Sequence, residues 1–303
     1  DYLTIPLGKS EVIRFSEGNT FVKACETVRG MDVYIVQTIG LNPNDEFTEL
    51  LFWLDTFKRA SASTVTAIIP YFGYAKGDKK DEPRVSIRAR VCAECIELAG
   101  ADRVVTMDLH SSQIQGFFKS PVDHIYAMPL FIDYLKSQNI PDMVVVSPDA
   151  GFVKQARKYA GVLGCSVAIG DKARKGHDEN AKILEIIGDI DGKNAVIVDD
   201  FSISGGTLID LTAELKKRGV KKVYACLSHV LLSEKAVKRI EESNIDVFVT
   251  TDSVPNPHIN GCRKIKTLSA APTFAEAIKR IQLRESVSAI FDEFPKELRK
   301  DKN

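Results

Sequence analysis

The residues best placed to do chemistry follow a short apolar run in the second half of the chain. Two adjacent carboxylates, Asp199 and Asp200, come directly after Val196-Ile-Val198, and a helical apolar pattern begins a few residues later. Strand, loop and helix in this order aim backbone N–H groups and the positive helix end at a phosphate. Glycines in the loop remove the Cβ atoms that would hold a phosphate away from the backbone. The candidate phosphate-binding residues are Ser204, Gly205, Gly206 and Thr207.

The acidic pair predicts a second role for this segment. Carboxylates accept hydrogen bonds from vicinal hydroxyls such as those of a ribose. A phosphate cradle beside a diol clamp indicates binding of a 5-phosphoribosyl group, and the alternative is an ordinary acidic loop between strand and helix. We expect a β-branched side chain at Gly206 to crowd the cradle and to strain the backbone there.

Further polar segments lie at the ends of other predicted strands, where open α/β sheets bind ligands. Asp108-Leu-His110 follows one strand and Ser147-Pro-Asp149 another. A histidine and carboxylates at these ends can place Mg²⁺ beside a polyphosphate, largely through water. Taken alone, His110 is more typical of a structural histidine. Lys76 and Asp78 lie in an aromatic, basic segment that either faces a base and phosphates or forms a solvated loop.

A charged segment without apolar periodicity runs from Asp171 to Asn180 and contains Lys172 and Arg174. Its cations suit a lid that closes over a charged transition state. The alternative is a disordered surface loop.

The elements that must position these residues alternate between apolar strands and amphipathic helices, which predicts an α/β fold with mostly parallel sheets. The pattern of strand, loop, helix and strand that begins at Val33 recurs in outline from Val196, which indicates an internal duplication. We expect domains over residues 1–142 and 143–303, of which only the second keeps the acidic pair and the Gly-Gly turn. The predicted strands are residues 33–37, 65–70, 103–108, 143–147, 195–199, 223–228 and 247–250.

The composition limits the classes of function. The 303 residues carry 41 Lys and Arg against 41 Asp and Glu, and zero net charge argues against a general nucleic-acid or membrane-surface binder. The sequence shows no bilayer-spanning apolar run and no signal-peptide pattern. The six scattered cysteines are typical of a cytoplasmic protein, and packing is favoured over a metal or redox role for Cys92 and Cys95. The first residue is not Met, so we expect that the N-terminus is either trimmed or incompletely observed.

Motifs spread along almost the whole chain point to one family. They are Arg14-Phe-Ser-Glu-Gly18, Pro70-Tyr-Phe-Gly-Tyr-Ala75, Ala99-Gly-Ala-Asp-Arg103, Met107-Asp-Leu-His-Ser-Ser-Gln-Ile-Gln-Gly-Phe-Phe118, Val146-Ser-Pro-Asp-Ala-Gly151, Asp171-Lys-Ala-Arg174 and the segment Asp199–Thr207. Together they resemble the ribose-phosphate pyrophosphokinase family, and the Met107–Phe118 motif is highly specific.

The resemblance implies two tandem domains of the type I phosphoribosyltransferase fold. It also implies transfer of the β,γ-pyrophosphoryl group of ATP to the C1 hydroxyl of ribose 5-phosphate with Mg²⁺, releasing AMP, in a cytoplasmic homo-hexamer. Binding of ribose 5-phosphate is implied for Asp199, Asp200, Ser204, Gly205, Gly206 and Thr207. The remaining implied roles are catalysis by Lys172 and Arg174, ATP binding by Phe15, Glu17, Lys76, Asp78 and His110, and Mg²⁺ binding by His110 and Asp149.

The chain departs from the family pattern at several positions. Ile203 stands where an acid is usual, Lys76-Gly77 replaces Arg-Gln, and Asn19 replaces a frequent Glu. The segment Asp78–Arg84 is altered, and family members have an extra strand and helix upstream of Asp1. Two alternatives stay open: a catalytically silent paralogue that regulates an active synthetase, and a phosphoribosyltransferase. The end-to-end match and the duplication argue against the transferase.

Overall fold

Each of the two units of the chain has a hydrophobic core of its own. The structure is a computed structural model and describes residues 2–172 and 183–292. By its internal contacts the chain divides into a first unit, which runs to Tyr126 and resumes at Ala270, and a second unit, Ala127–Ser269. This division differs from the sequence boundary between residues 142 and 143, which stays a prediction about the two repeated halves.

The helices and strands are described in chain order. The strands are β1 Ser10–Arg14, β2 Thr20–Ala24, β3 Asp32–Val36, β4 Thr64–Ile69, β5 Arg103–Met107, β6 Val122–Ile125, β7 Met143–Ser147, β8 Ser166–Lys172, β9 Ile183–Ile187, β10 Asn194–Ser202, β11 Val223–Val230, β12 Val247–Thr251 and β13 Ile265–Leu268. The helices are α1 Pro43–Arg59, α2 Arg88–Ala99, α3 Met128–Ser137, α4 Val153–Leu163, α5 Gly206–Lys217, α6 Glu234–Glu242, α7 Ala271–Leu283 and α8 Ala289–Asp292.

Each unit contains a mostly parallel sheet, as the sequence predicts. In the first unit the strand order is β3-β4-β5-β6, all parallel, and β1 and β2 form a separate antiparallel hairpin. In the second unit the order is β13-β12-β11-β10-β7-β8-β9, parallel except for the β8–β9 pair. The elements β3-α1-β4-α2-β5-β6 and β10-α5-β11-α6-β12-β13 follow the same order, which agrees with the predicted duplication.

Burial explains why the central strands were visible in the sequence. In β10, the run Ala195–Val198 is fully buried, as expected for a parallel strand with neighbours on both sides and helices on both faces. The strand extends to Ser202, beyond the predicted end at Asp199, so the acidic pair lies in the strand. None of the helices in the described part of the chain combines the length and hydrophobicity needed to span a bilayer.

Candidate functional site

The phosphate loop, Ile203–Thr207, connects β10 to α5. Gly205 is the N-cap residue of α5, with φ at +68°. Its N–H donates to Ser202 Oγ at 3.1 Å, and its carbonyl accepts the N–H of Ile209 at 3.0 Å. The N–H of Gly206 donates a long hydrogen bond of 3.4 Å to Ser204 Oγ. The first turn of α5, residues 206–209, carries no acidic side chain, so the positive helix end is not neutralised within that turn.

The two glycines of the phosphate loop have different reasons to be glycine. At Gly205 the positive φ disfavours any side chain, and a Cβ would lie 3.2 Å from Ile240 Cδ1. At Gly206, φ is not positive, so the expected backbone strain there is wrong. A Cβ at Gly206 would meet Ser204 Oγ at 3.6 Å and Arg239 Nη2 at 3.9 Å, which are ordinary contacts. The space beside Gly206 is therefore bordered by a hydroxyl and a guanidinium, two groups that bind phosphate.

Three carboxylates of the second unit influence one another electrostatically. Asp200 is buried, with 7% of its surface exposed, and Asp199 is partly buried. Burial, the neighbouring charge of Asp200, a side-chain hydrogen bond with Asp200 and the charge of Asp149 together raise the pKa of Asp199 well above its ordinary value. The N–H of Asp200 donates to Asp199 Oδ1 at 3.0 Å and opposes this rise. An acidic cluster of this kind attracts cations and hydroxyl donors.

Asp149 is positioned by the turn after β7. It caps a short 3₁₀ helix, Ala150–Phe152, and its Oδ1 accepts the N–H of Gly151 at 2.9 Å and that of Phe152 at 3.3 Å. Ser147 Oγ donates to the Asp149 carbonyl at 2.6 Å. Among the side chains that the structure describes, no group of three or more His, Cys, Asp or Glu is arranged to hold a metal ion. Mg²⁺ commonly uses one or two carboxylates with waters and substrate phosphates, so the acidic cluster fits a magnesium ion that a phosphorylated substrate helps to hold.

The predicted lid cations fall at the edge of what is described. Lys172 is the last residue of β8 and pairs with Ile183 of β9, next to a register shift at Asp171. The expectation of an aperiodic loop beginning at Asp171 is therefore wrong for its first two residues, because backbone pairing with β9 extends the strand without any apolar alternation. Arg174 lies outside the described residues, so its predicted role stays a prediction.

The first predicted ATP segment is the tip of the β1–β2 hairpin. The N–H of Phe15 donates to the Asn19 carbonyl at 2.9 Å, and Gly18 has φ at +88°. Asn19 Oδ1 accepts the N–H of Thr20 at 2.8 Å, which gives this departure from the family pattern a local structural role. Phe15 and Glu17 are exposed at this tip. The exposed aromatic ring of Phe15 is 44% accessible and can stack on a planar ligand or pack on another surface.

The second predicted ATP segment forms a short 3₁₀ helix, Ala75–Gly77, with Asp78 as its C-cap. Lys76 is exposed on it. A Cβ at Gly77 would lie 2.7 Å from Arg88 Nε and 2.8 Å from Arg88 Cβ. The replacement of a larger family residue by Gly77 is thus matched by Arg88, which fills the space that a side chain at position 77 would take.

His110 is exposed just beyond β5, in a segment held by a second histidine. His124 Nε2 accepts the N–H of Leu109 at 2.9 Å, which requires that nitrogen to be unprotonated. The His124 ring also contacts Tyr126, with 4.5 Å between ring centroids. His124 was not among the residues predicted from the sequence, and it becomes evident only from the pairing of β6 with β5, the strand that leads to His110. His124 positions the segment and His110 is left to face outward.

Comparison with known proteins shows that the chain is similar to one family along almost its whole length. Residues 1–100 match the N-terminal domain of ribose phosphate pyrophosphokinase, and residues 178–292 match the phosphoribosyl synthetase-associated domain. The ribose-phosphate pyrophosphokinase of Clostridium tetani is 45% identical over 96% of this chain and 92% of its own length. That of Burkholderia pseudomallei is 46% identical over 96% and 92%.

A solved structure gives the same result. The crystal structure of phosphoribosylpyrophosphate synthetase from Mycobacterium smegmatis superposes with a TM-score of 0.87, at 35% identity and 93% coverage of both chains. The predicted class, with two tandem phosphoribosyltransferase-like domains, is confirmed. The chain therefore belongs to the ribose-phosphate pyrophosphokinase family.

Proposed function

We propose that the chain transfers the β,γ-pyrophosphoryl group of ATP to the C1 hydroxyl of ribose 5-phosphate, giving phosphoribosyl pyrophosphate and AMP. The observation that carries the assignment of the sugar is the space beside Gly206. It lies at the start of a helix whose first turn has no acid, and Ser204 Oγ and Arg239 Nη2 border it. A 5-phosphate in this space would accept hydrogen bonds from N–H groups of the phosphate loop and from the hydroxyl groups of Ser204 and Thr207.

Asp199 and Asp200 supply the second half of the sugar site in this proposal. As carboxylates they accept hydrogen bonds from the ribose hydroxyls, whose O–H groups donate. The raised pKa of Asp199, caused by burial and by Asp200 and Asp149, means that the ionised cluster is costly until hydroxyls or a cation compensate it. Sugar binding and charge compensation are therefore coupled at this cluster.

We propose Asp149 as a Mg²⁺-binding residue of the second unit, and His110 as a Mg²⁺-binding residue of the first unit. When bound, Mg²⁺ supplies charge neutralisation on the polyphosphate oxygens. Lys172 and Arg174 are the proposed catalytic cations, which would stabilise charge on the transferred group. Phe15, Glu17, Lys76, Asp78 and His110 are the proposed ATP residues.

The test is direct synthesis by the full chain. Purified protein with ATP, Mg²⁺ and ribose 5-phosphate is expected to release AMP and the pyrophosphorylated sugar in equal amounts. Asp199→Asn is expected to lower use of ribose 5-phosphate by about 10–100-fold, because a charge-assisted hydrogen bond is lost. Asp210→Asn, an exposed change on α5, is the matched control and should behave as the unchanged chain does. Absence of AMP release under these conditions would favour the silent regulatory paralogue.

We propose that the active form is a cytoplasmic homo-hexamer with Phe15–Gly18 near a subunit boundary. The hairpin β1–β2 exposes Val12, Ile13, Phe15 and Phe21 by 43%, 38%, 44% and 45%, an apolar surface of the kind that another copy covers. All six cysteines are free, which suits a reducing compartment. Light scattering at assay concentration tests the assembly, and fully active monomers would contradict it.

A further inference from the structure

Helix α6 brings an arginine to the phosphate loop from outside the loop's own sequence. Ile240 of α6 is fully buried, and its Cδ1 lies 3.2 Å from the position that a Cβ at Gly205 would take. Ile240 belongs to the same buried core as Leu208 of α5, so α6 packs close to the loop. Arg239, the preceding residue, is exposed and directs Nη2 to 3.9 Å from the corresponding position at Gly206. A buried residue thus anchors the helix, and its exposed neighbour borders the space beside Gly206.

The charges along α6 leave this guanidinium available. Several arginines within or at the end of a helix pair with an acid one turn away, as Arg59 does with Asp55, Arg218 with Glu214 and Arg280 with Glu276. The residue four positions before Arg239 is Lys235, which cannot pair with it. Among the described residues, Arg239 makes no hydrogen bond or ion pair, although its neighbour Lys238 pairs with Glu234 at 2.9 Å.

An unpaired guanidinium beside the positive end of α5 is a repulsive arrangement until an anion lies between them. A phosphate satisfies both partners, because arginine offers two parallel N–H donors that match two phosphate oxygens. The helix end offers backbone N–H groups to the remaining oxygens. A phosphate would gain charge-assisted hydrogen bonds from both groups, whereas an uncharged hydroxymethyl group would gain only ordinary ones.

We propose that Arg239 binds the 5-phosphate of the sugar substrate and sets the preference for a phosphorylated over an unphosphorylated pentose. This rests on the proposed function of the phosphate loop and adds to it a residue from a neighbouring helix. Arg239 touches the part of the substrate that does not react. Its loss is therefore expected to weaken binding of the sugar and leave the rate at saturation nearly unchanged.

The experiment measures affinity and kinetics on the full chain. Arg239→Ala and Arg239→Gln are expected to weaken binding of ribose 5-phosphate by about 10–100-fold in calorimetry, with a matching rise in KM and little change in kcat or in the KM for ATP. Binding of inorganic phosphate should weaken as well, whereas binding of ribose should not change. Arg239→Lys should recover part of the affinity, since lysine keeps the charge but not the paired donors.

Two companion variants decide between explanations. Lys238→Ala removes a cation from the exposed side of the same helix and should leave the affinity for ribose 5-phosphate unchanged. An equal loss of affinity in Lys238→Ala would mean a general charge effect and would overturn the assignment.

Gly206→Val fills the space beside the phosphate loop itself. If it abolishes binding while both Arg239 variants bind normally, Arg239 has no part in the site and the loop assignment stands. If Gly206→Val binds normally, the phosphate lies elsewhere and the proposed function of the loop fails. Because Arg239 is exposed, all its variants should keep the unchanged chain's melting temperature.

Discussion

Helix α1 in the first unit and helix α5 in the second occupy equivalent places, since each follows a parallel strand and leads to the next. Their N-termini are completed differently. In α1, the first-turn residue Glu46 turns its carboxylate back to accept the N–H of Gly40 and, at 3.3 Å, the N–H of Asn42. In α5, the first turn has no acid, and the N-cap Gly205 offers no side chain.

The preference of a helix N-terminus for a negative charge is satisfied differently in the two units. A helix N-terminus favours a negative charge because its first N–H groups lack partners within the helix. The first unit supplies that charge from its own chain, which stabilises the unit and occupies the place a ligand would need. The second unit supplies no such charge in the first turn of α5, and in the proposed function a substrate phosphate takes that place. Gln37 follows β3, whereas Asp199 and Asp200 lie in the last part of β10, so the first unit lacks the proposed diol clamp as well.

The largest expected effect breaks the ligand side of this comparison. Gly206→Val should weaken binding of ribose 5-phosphate at least about 100-fold, because the isopropyl group fills the space bordered by Ser204 Oγ and Arg239 Nη2. Calorimetric titration measures the loss. Gly161→Val on α4 is the matched control, since a Cβ there meets no other atom within 4 Å. Equal melting temperatures of the two variants would show that the loss concerns the ligand and not the fold.

The next largest expected effect comes from removing the acid with which the first unit completes the N-terminus of α1. Glu46→Ala should lower the free energy of unfolding by about 1–3 kcal/mol, because the N–H groups of Gly40 and Asn42 lose a charged acceptor. Urea unfolding measures it. Asp45→Ala, in the same turn, should stay within about 0.5 kcal/mol, since its 3.8 Å pair with Arg14 is exposed. A reduced affinity for ribose 5-phosphate in Glu46→Ala would contradict the assignment of the sugar to the second unit.

A smaller expected effect separates the two reasons why position 205 favours glycine, which are its positive φ and the nearby side chain of Ile240. Gly205→Ala should destabilise through both its positive φ and the 3.2 Å approach to Ile240 Cδ1. Gly192→Ala has the same φ of +68° but no atom within 4 Å of the added Cβ. It should cost about 1–2 kcal/mol from the backbone alone. The difference between the two melting curves measures the contact with Ile240, and equal curves would mean that the loop yields to the added methyl group.

The features that could be predicted from the sequence are those that depend on local, mainly apolar patterns. The interior residues of β4, β7 and β10 are buried, and these strands appear as largely apolar runs, as is typical of parallel strands covered on both faces. Every residue of β1 is exposed, so that strand has no buried face to create a pattern. The phosphate loop was visible because glycine and hydroxyl residues adjoin in sequence. Arg239 and His124 reach their segments from other elements, so no local spacing indicates them.

The last and smallest effect is a gain of stability at the acidic cluster. The pKa of Asp199 is raised by burial, by Asp200 and by Asp149, so the folded chain binds a proton there more tightly than the unfolded chain. In the window from the ordinary aspartate pKa up to the raised one, the folded state holds a proton that the unfolded state has lost, and stability falls as pH rises. Asp199→Asn removes this penalty.

Below the ordinary aspartate pKa, the Asp199→Asn variant should therefore have the same melting temperature as the unchanged chain. As the pH is raised through the window, the melting temperature of the variant should exceed that of the unchanged chain by a growing margin. Mg²⁺ with ribose 5-phosphate should narrow or reverse the difference, because only the unchanged chain gains their full stabilisation. Asp246→Asn is the contrasting variant, at the residue before β12. The carboxylate of Asp246 accepts hydrogen bonds from Lys216 Nζ and from the N–H of Val223, both at 2.8 Å, so its loss should lower the melting temperature at neutral pH. If Asp199→Asn melted below the unchanged chain at pH 8 without ligand, Asp199 would stabilise the fold. The contrast between a self-sufficient first unit and a substrate-completed second unit would then no longer hold at the acidic pair.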